Sequence, residues 1–315
     1  MKRRYLLLTC LLAAAVLTGC AGEDPQNAVR SGVVRMPRTD VEGFLKALDA
    51  SDIEGQYEAA QCFDVTPARV AEETDYQIFK FADTCASFLL VDGEVYELCA
   101  WLGGLGFVDA APCDLDGDGE TDLVVTSSWG SGLHRAQVSF LSGKTKETSV
   151  LYDTMGTSNP GVDLMTGGIE TPAGGGEALP VYIAEITVGQ DLTDLECMAG
   201  EAVGHVKAVE GIPVFLPVEP EAFSYAQESV NWAANGEGVR TDGFQNVTYK
   251  EVEDEETAMI LAAAEVTVPY DRMKAYFDAE EQVWRVDFGK AFQAGGGQSV
   301  YLGADGVTRA CVWGK

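Results

Sequence analysis

The chain has 315 residues, is 46% hydrophobic and 9% aromatic, and carries a formal net charge of −29. That apolar content supports a packed core, and the length suits one or two domains. The acidity argues against nucleic-acid partners, because like charges repel, and it makes carboxylate pairs too common for any one of them to mark a glycosidase.

Lys2, Arg3 and Arg4 form a positive start, followed by an apolar run from Leu6 to Leu17 broken by Thr9. A membrane-spanning helix needs about 20 residues, so this shorter run has the build of a signal-peptide core. It ends in Leu17-Thr18-Gly19-Cys20, which resembles the lipobox of bacterial lipoproteins. The resemblance implies that residues 1–19 are removed and that Cys20 carries lipid on its thiol and new N-terminus. The protein is then expected at the cell membrane, lipid-anchored on the extracytoplasmic face. Residues 20–38 contain two prolines and no lasting periodicity, and read as the lipidated Cys and a tether.

From Asp40 onward the chain is expected to fold. Asp40 can cap a helix in which Val41, Phe44, Leu45 and Leu48 recur at helical spacing, and Thr66-Pro67 marks a second helix start. Tyr76–Phe81, Ala86–Val91 and Glu94–Leu102 read as strands, with Asp92-Gly93 as a hairpin turn. Leu123–Trp129, Arg135–Leu141, Thr148–Tyr152, Val181–Val188, Ala202–Val209 and Pro213–Val218 continue the pattern between glycine-rich turns such as Gly174-Gly175-Gly176. Many short strands without long helices between them predict an antiparallel β domain over residues 39–218. Beyond it, Pro220–Ala234 reads as a helix closed by Asn235-Gly236, Phe244–Lys250 as a strand and Glu255–Ala264 as a helix. Two hairpins follow, Lys274–Phe277 with Val283–Phe288 and Ser299–Leu302 with Val307–Val312, the second turned at Asp305-Gly306. Residues 219–315 therefore read as a small α+β unit, and the whole chain as a β-rich α+β protein.

Cys10 lies in the signal and Cys20 takes the lipid, leaving Cys62, Cys85, Cys99, Cys113, Cys197 and Cys311. Outside the cytoplasm these can pair or pack as small apolar groups. Their spacing matches no disulfide framework, and the pairing stays open. Only His134 and His205 accompany them, and no Cys-x-x-Cys occurs, which argues against zinc.

The most specific chemistry lies in Asp114-Leu115-Asp116-Gly117-Asp118-Gly119-Glu120-Thr121-Asp122. Its carboxylates would repel one another in a tight loop unless a hard cation gathered them. Calcium, which takes about 6–8 oxygen ligands, suits that task. An EF-hand would require Glu at the twelfth position, where Val125 stands, and a following helix, where a strand is expected. The pattern instead resembles the Asp-x-Asp-x-Asp-Gly-x-x-Asp-Leu loop of FG-GAP and VCBS repeats. By that resemblance Asp114, Asp116, Asp118 and Asp122 supply side-chain oxygens and Glu120 its backbone carbonyl. The calcium would be structural, stapling a hairpin. The motif occurs once, so the resemblance does not extend to a complete propeller of such repeats.

Two wider resemblances accompany it. Gly103-Gly104-Leu105-Gly106-Phe107, with the acidic loop and Ser128-Trp129-Gly130-Ser131-Gly132-Leu133-His134-Arg135, resembles a group of lipoproteins from gut Firmicutes. Val283-Trp284-Arg285-Val286-Asp287-Phe288, with Val300-Tyr301-Leu302-Gly303-Ala304-Asp305-Gly306, looks like PepSY-type modules, which implies binding or restraint of a partner protein.

No Gly-x-Ser-x-Gly elbow and no phosphate-cradling Gly-x-x-x-x-Gly-Lys-Ser/Thr occurs. His134 and Arg135 are candidate ligand contacts, beside the plainer reading of His134 as a turn residue bonded to backbone. Trp101, Trp129, Trp232, Trp284 and Trp313 read more simply as core anchors than as a carbohydrate platform. The expected function is that of a non-enzymatic, calcium-stabilised surface module binding a protein or glycan. A PepSY-like regulator of an exported enzyme and a carboxylate-dependent hydrolase are the alternatives.

Overall fold

The computed structural model describes residues 41–99, 103–130, 134–154, 162–171, 175–190, 192–225, 238–245, 250–291, 293 and 295–314. Cys20, the signal and the tether lie outside the described residues, as do Trp101, Trp232, Ser131, Gly174 and Asn235-Gly236. The described residues form a β-rich protein of antiparallel sheets, with three α-helices and one 3-10 turn.

Helix α1 (Val41–Ala50) buries Phe44 and Leu48, spaced one turn apart. Phe44 stacks on Phe79 with ring centroids 4.1 Å apart and lies tilted against Phe81 and Phe88. Those rings belong to the first sheet, β1 (Cys62–Asp64), β2 (Gln77–Phe81), β3 (Ser87–Val91) and β4 (Glu94–Cys99), paired in chain order. Asp92 and Gly93, at φ of 54° and 81°, make the tight turn between β3 and β4, the conformation that Asp-Gly favours. Helix α2 (Ala68–Glu73) begins one residue later than the sequence predicts. Pro67 keeps an extended ψ of 145° and serves as its cap residue.

The second sheet is β5 (Gly106–Cys113), β6 (Asp122–Trp129), β7 (Arg135–Leu141) and β8 (Thr148–Asp153). The third is β9 (Val162–Thr166), β10 (Ala178–Val188), β11 (Leu195–Val209) and β12 (Ile212–Pro217). Three times in succession, then, the chain lays down a four-stranded meander, the unit that propellers use as a blade. The continuous apolar run of β6 has its reason here. Leu123 and Val125 enter one core with Phe107, Ile78 and Met165, while Val124 enters another with Val138, Leu179 and Val206. A strand buried on both faces does not alternate.

The last sheet has six strands in the order β13-β15-β16-β17-β18-β14: β13 (Glu221–Ala222), β14 (Val239–Arg240), β15 (Arg272–Asp278), β16 (Val283–Gly289), β17 (Gln298–Gly303) and β18 (Thr308–Trp313). Helix α3 (Glu255–Ala263) is capped by Asp254, whose side chain accepts the Thr257 N–H at 2.7 Å. It packs Ala258, Met259 and Ala262 against Met273, Val286 and Phe288. Val209, Val214 and Leu216 of the third sheet join that same core. Two expected elements meet the described residues only at their ends here, since residues 226–234 and 246–249 lie outside them. The stretch after Pro220 starts as a strand parallel to β15, not a helix, because Phe223 and Tyr225 donate their N–H groups to Phe277 O and Asp278 Oδ2. The described ends of Phe244–Lys250 are not strand.

Candidate metal centre

Residues 114–121 connect β5 to β6, with Cys113 paired opposite Asp122 at the mouth of the hairpin. The loop folds around its own carboxylates. Asp118 N–H donates to Asp116 Oδ1 at 3.1 Å, Gly119 N–H to Asp114 Oδ2 at 3.2 Å, and Glu120 N–H to Asp118 Oδ1 at 2.9 Å. Gly117 and Gly119 sit at φ of 74° and 87°, where a side chain would strain the backbone. Buried Leu115 anchors the loop to the core beneath.

Asp122 is fully buried. Its Oδ2 accepts the Leu115 N–H at 3.2 Å and its Oδ1 the Gly143 N–H at 2.8 Å. Burial pushes its carboxyl up to about 6, the neighbouring Asp116 and Asp118 push the same way, and the two backbone donors oppose them. A carboxylate held in this state gains from any nearby positive charge.

Asp114, Asp116 and Asp122 each offer an oxygen within 4.8 Å of the other two. Asp114 Oδ1 is buried and has no hydrogen-bond partner. An unsatisfied buried oxygen is costly, and the converging donors are all oxygen, so the residues fit a hard divalent cation. Asp118 and Glu120 lie on the same loop but outside this trio. Asp118 Oδ2 faces Lys144 Nζ at 3.5 Å, and the Glu120 side chain is exposed. A residue that local sequence could not supply completes the surroundings: Glu177, whose Oε2 accepts the Asp114 N–H at 3.3 Å from 63 positions away.

His134 and Arg135 lie at the other end of β6, eight residues of strand from the acidic loop, roughly 25 Å at strand rise. His134 Nε2 lies 3.2 Å from Asp163 Oδ2. Arg135 lies 3.4 Å from Asp153 Oδ2 and 5.0 Å over the Trp129 ring. His205, in β11, is held below its ordinary value by burial and then by Lys207. Trp284 is buried against Phe277, and Trp313 Nε1 donates to Thr267 Oγ1 at 3.1 Å. Both belong to the six-stranded sheet, apart from Trp129, so these three do not form one platform.

Comparison with protein-family models, curated proteins and solved structures gave no match.

Proposed function

We propose that the chain is a lipid-anchored, extracytoplasmic binding module whose acidic loop is closed by a structural calcium ion. One observation carries the metal reading: three carboxylates converge while a buried oxygen of one of them lacks any partner. Asp114, Asp116 and Asp122 would supply side-chain oxygens, Glu120 its carbonyl, and Asp118 an oxygen once it turns from Lys144. The ion would supply positive charge alone. Its work is to neutralise the loop and fix the β5–β6 hairpin, while Asp122 keeps the bonds from the Leu115 and Gly143 N–H groups. The lipobox-like Leu17–Cys20 stretch supports the anchor, and the missing nucleophile and phosphate motifs favour binding over turnover. We read residues 219–315, the six-stranded sheet with α3, as the α+β unit of this module.

Calcium titration by calorimetry tests the metal reading. Wild-type protein should bind about one ion in the range typical of extracellular modules, about 10⁻⁴–10⁻³ M, and Asp116→Ala should remove the signal. Equal binding by both would move the site elsewhere. For the anchor, Cys20→Ser should abolish incorporation of labelled palmitate by the producing cell; unchanged labelling would contradict it.

A further inference from the structure

A cleft of about 670 Å³ lies where β8, β12 and β15 meet, a size suited to a small ligand or a few residues of peptide. Its walls are two strand edges. Among the described residues β8 ends its sheet, with β7 as its one strand neighbour. β15 is flanked on that side by β13, which pairs with Tyr276 and Phe277 only. Among the described residues Arg272–Lys274 therefore has no strand partner there. The guanidinium of Arg272 reaches the carbonyl of Val150 at 3.1 Å, so that carbonyl points into the cleft. Pro213 and Val214 of β12, with Met273 and Phe288, provide apolar lining. Two facing edges that lack a strand partner among the described residues are a template for a further strand.

Charge sets the chemistry of that strand. The chain carries 50 acidic and 21 basic side chains, yet Arg272, Lys274 and Lys290 line this cleft against Asp153 and Asp287. Each acid has a cation within reach, while Asp153 Oδ1 is buried without a hydrogen-bond partner. Asp287 lies 3.2 Å from Arg285 and accepts Ser299 Oγ at 2.6 Å, while Asp153 lies 3.4 Å from Arg135. Lys274 is matched by Glu221 at 2.8 Å. Arg272 and Lys290 form no ion pair among the described residues. The β15–β16 register puts Arg272 opposite Gly289, next in the chain to Lys290. Asp271 beside them accepts the Ala291 N–H at 2.8 Å. Both line the cleft with no ion-pair partner among the described residues, which leaves positive charge there for an anion.

We propose that the cleft binds an extended peptide that adds a strand between β8 and β15 and places a carboxylate against Arg272 and Lys290. The inference rests on reading the chain as a binding module, and names its ligand class.

Calorimetric titration of the full chain in detergent micelles tests it with three probes. They are acetyl-Val-Thr-Val-Thr-Glu with a free terminus, its Gln-amide counterpart, and the acidic peptide N-methylated at alternate residues. The acidic peptide should bind about tenfold or more tighter than the other two, since each lacks one of the two recognition elements. In the Arg272→Gln, Lys290→Gln double variant, with both changes at exposed positions, this preference should vanish while the melting temperature stays unchanged. Equal binding of acidic and neutral probes, full binding of the N-methylated probe, or no binding of any would overturn the proposal. Peptide failure with an intact calcium response would leave the metal reading standing. Cleavage of the probe during titration would instead contradict the non-enzymatic reading.

Discussion

The N–H of Gly143 donates to Oδ1 of Asp122 at 2.8 Å, so the turn after β7 and the acidic loop before β6 share one buried carboxylate. A Cβ at Gly143 would stand 2.3 Å from the carbonyl oxygen of Thr121. Gly143→Ala should push the two segments apart and destabilise the protein by about 1–3 kcal/mol, the range for overpacking. Denaturant midpoints measure this, and an unchanged midpoint would mean that the contact yields without cost.

Arg69 joins α2 to two sheets. It donates from Nε to Ala110 O at 2.7 Å, from Nη2 to Thr166 Oγ1 at 2.5 Å, and pairs with the fully buried Asp109. Thr166 Oγ1 in turn donates to Asp109 at 3.0 Å. Arg69→Ala leaves the Asp109 charge buried without its cation, and a loss of about 3 kcal/mol is expected. Asp109→Asn in the same background should recover part of it in a double-mutant cycle. Strict additivity of the two changes would show that they are not coupled.

Glu255 gives stability a pH dependence. Burial raises its carboxyl from 4.5 to about 8, with repulsion from Glu221 and Asp254 adding and Lys274 opposing. Between these values the unfolded chain has released a proton that the folded chain keeps, so this group lowers stability as pH rises. Below the lower value both states are protonated and its contribution vanishes. Glu255→Gln should therefore melt like wild type near the acid end and be more stable at about pH 8, by on the order of 2 kcal/mol. A constant difference across the range would assign the effect to packing.

The six described cysteines are thiols, five of them buried and Cys99 partly exposed. Burial pushes Cys99 up to about 11 and Cys197 up to about 12, and raises Cys85, Cys113 and Cys311 as well. Since the thiolate is the reactive form, native protein should resist alkylation at neutral pH, with Cys99 the first to react. Mass mapping that finds Cys197 or Cys113 labelled before Cys99 would contradict this.

What the sequence made legible was local. Asp92-Gly93 and Asp305-Gly306 marked their hairpins because a positive φ is a property of one or two residues. Most strands were found from short β-rich runs. β9 escaped, since Val162–Thr166 is a short run broken by Asp163 and is defined by pairing with β10. At Glu221–Ala222 the start of an expected helix is instead a short strand bonded to β15. At the loop, the aspartates announced themselves by spacing, whereas Glu177 and Gly143 reach it through contacts far apart in sequence. His134 carried no hint of Asp163, nor Arg69 of Asp109. Such pairs exist only once the sheets have stacked.

Thermal melting in excess calcium and then in chelator, on wild-type protein and Asp116→Ala, decides whether residues 114–122 hold calcium. Calcium at about 100 times its dissociation constant should stabilise wild type by about 2.7 kcal/mol and leave Asp116→Ala unmoved. A wild-type midpoint indifferent to chelation, in a protein verified metal-free afterwards, would mean that residues 114–122 form an acidic turn and no calcium site.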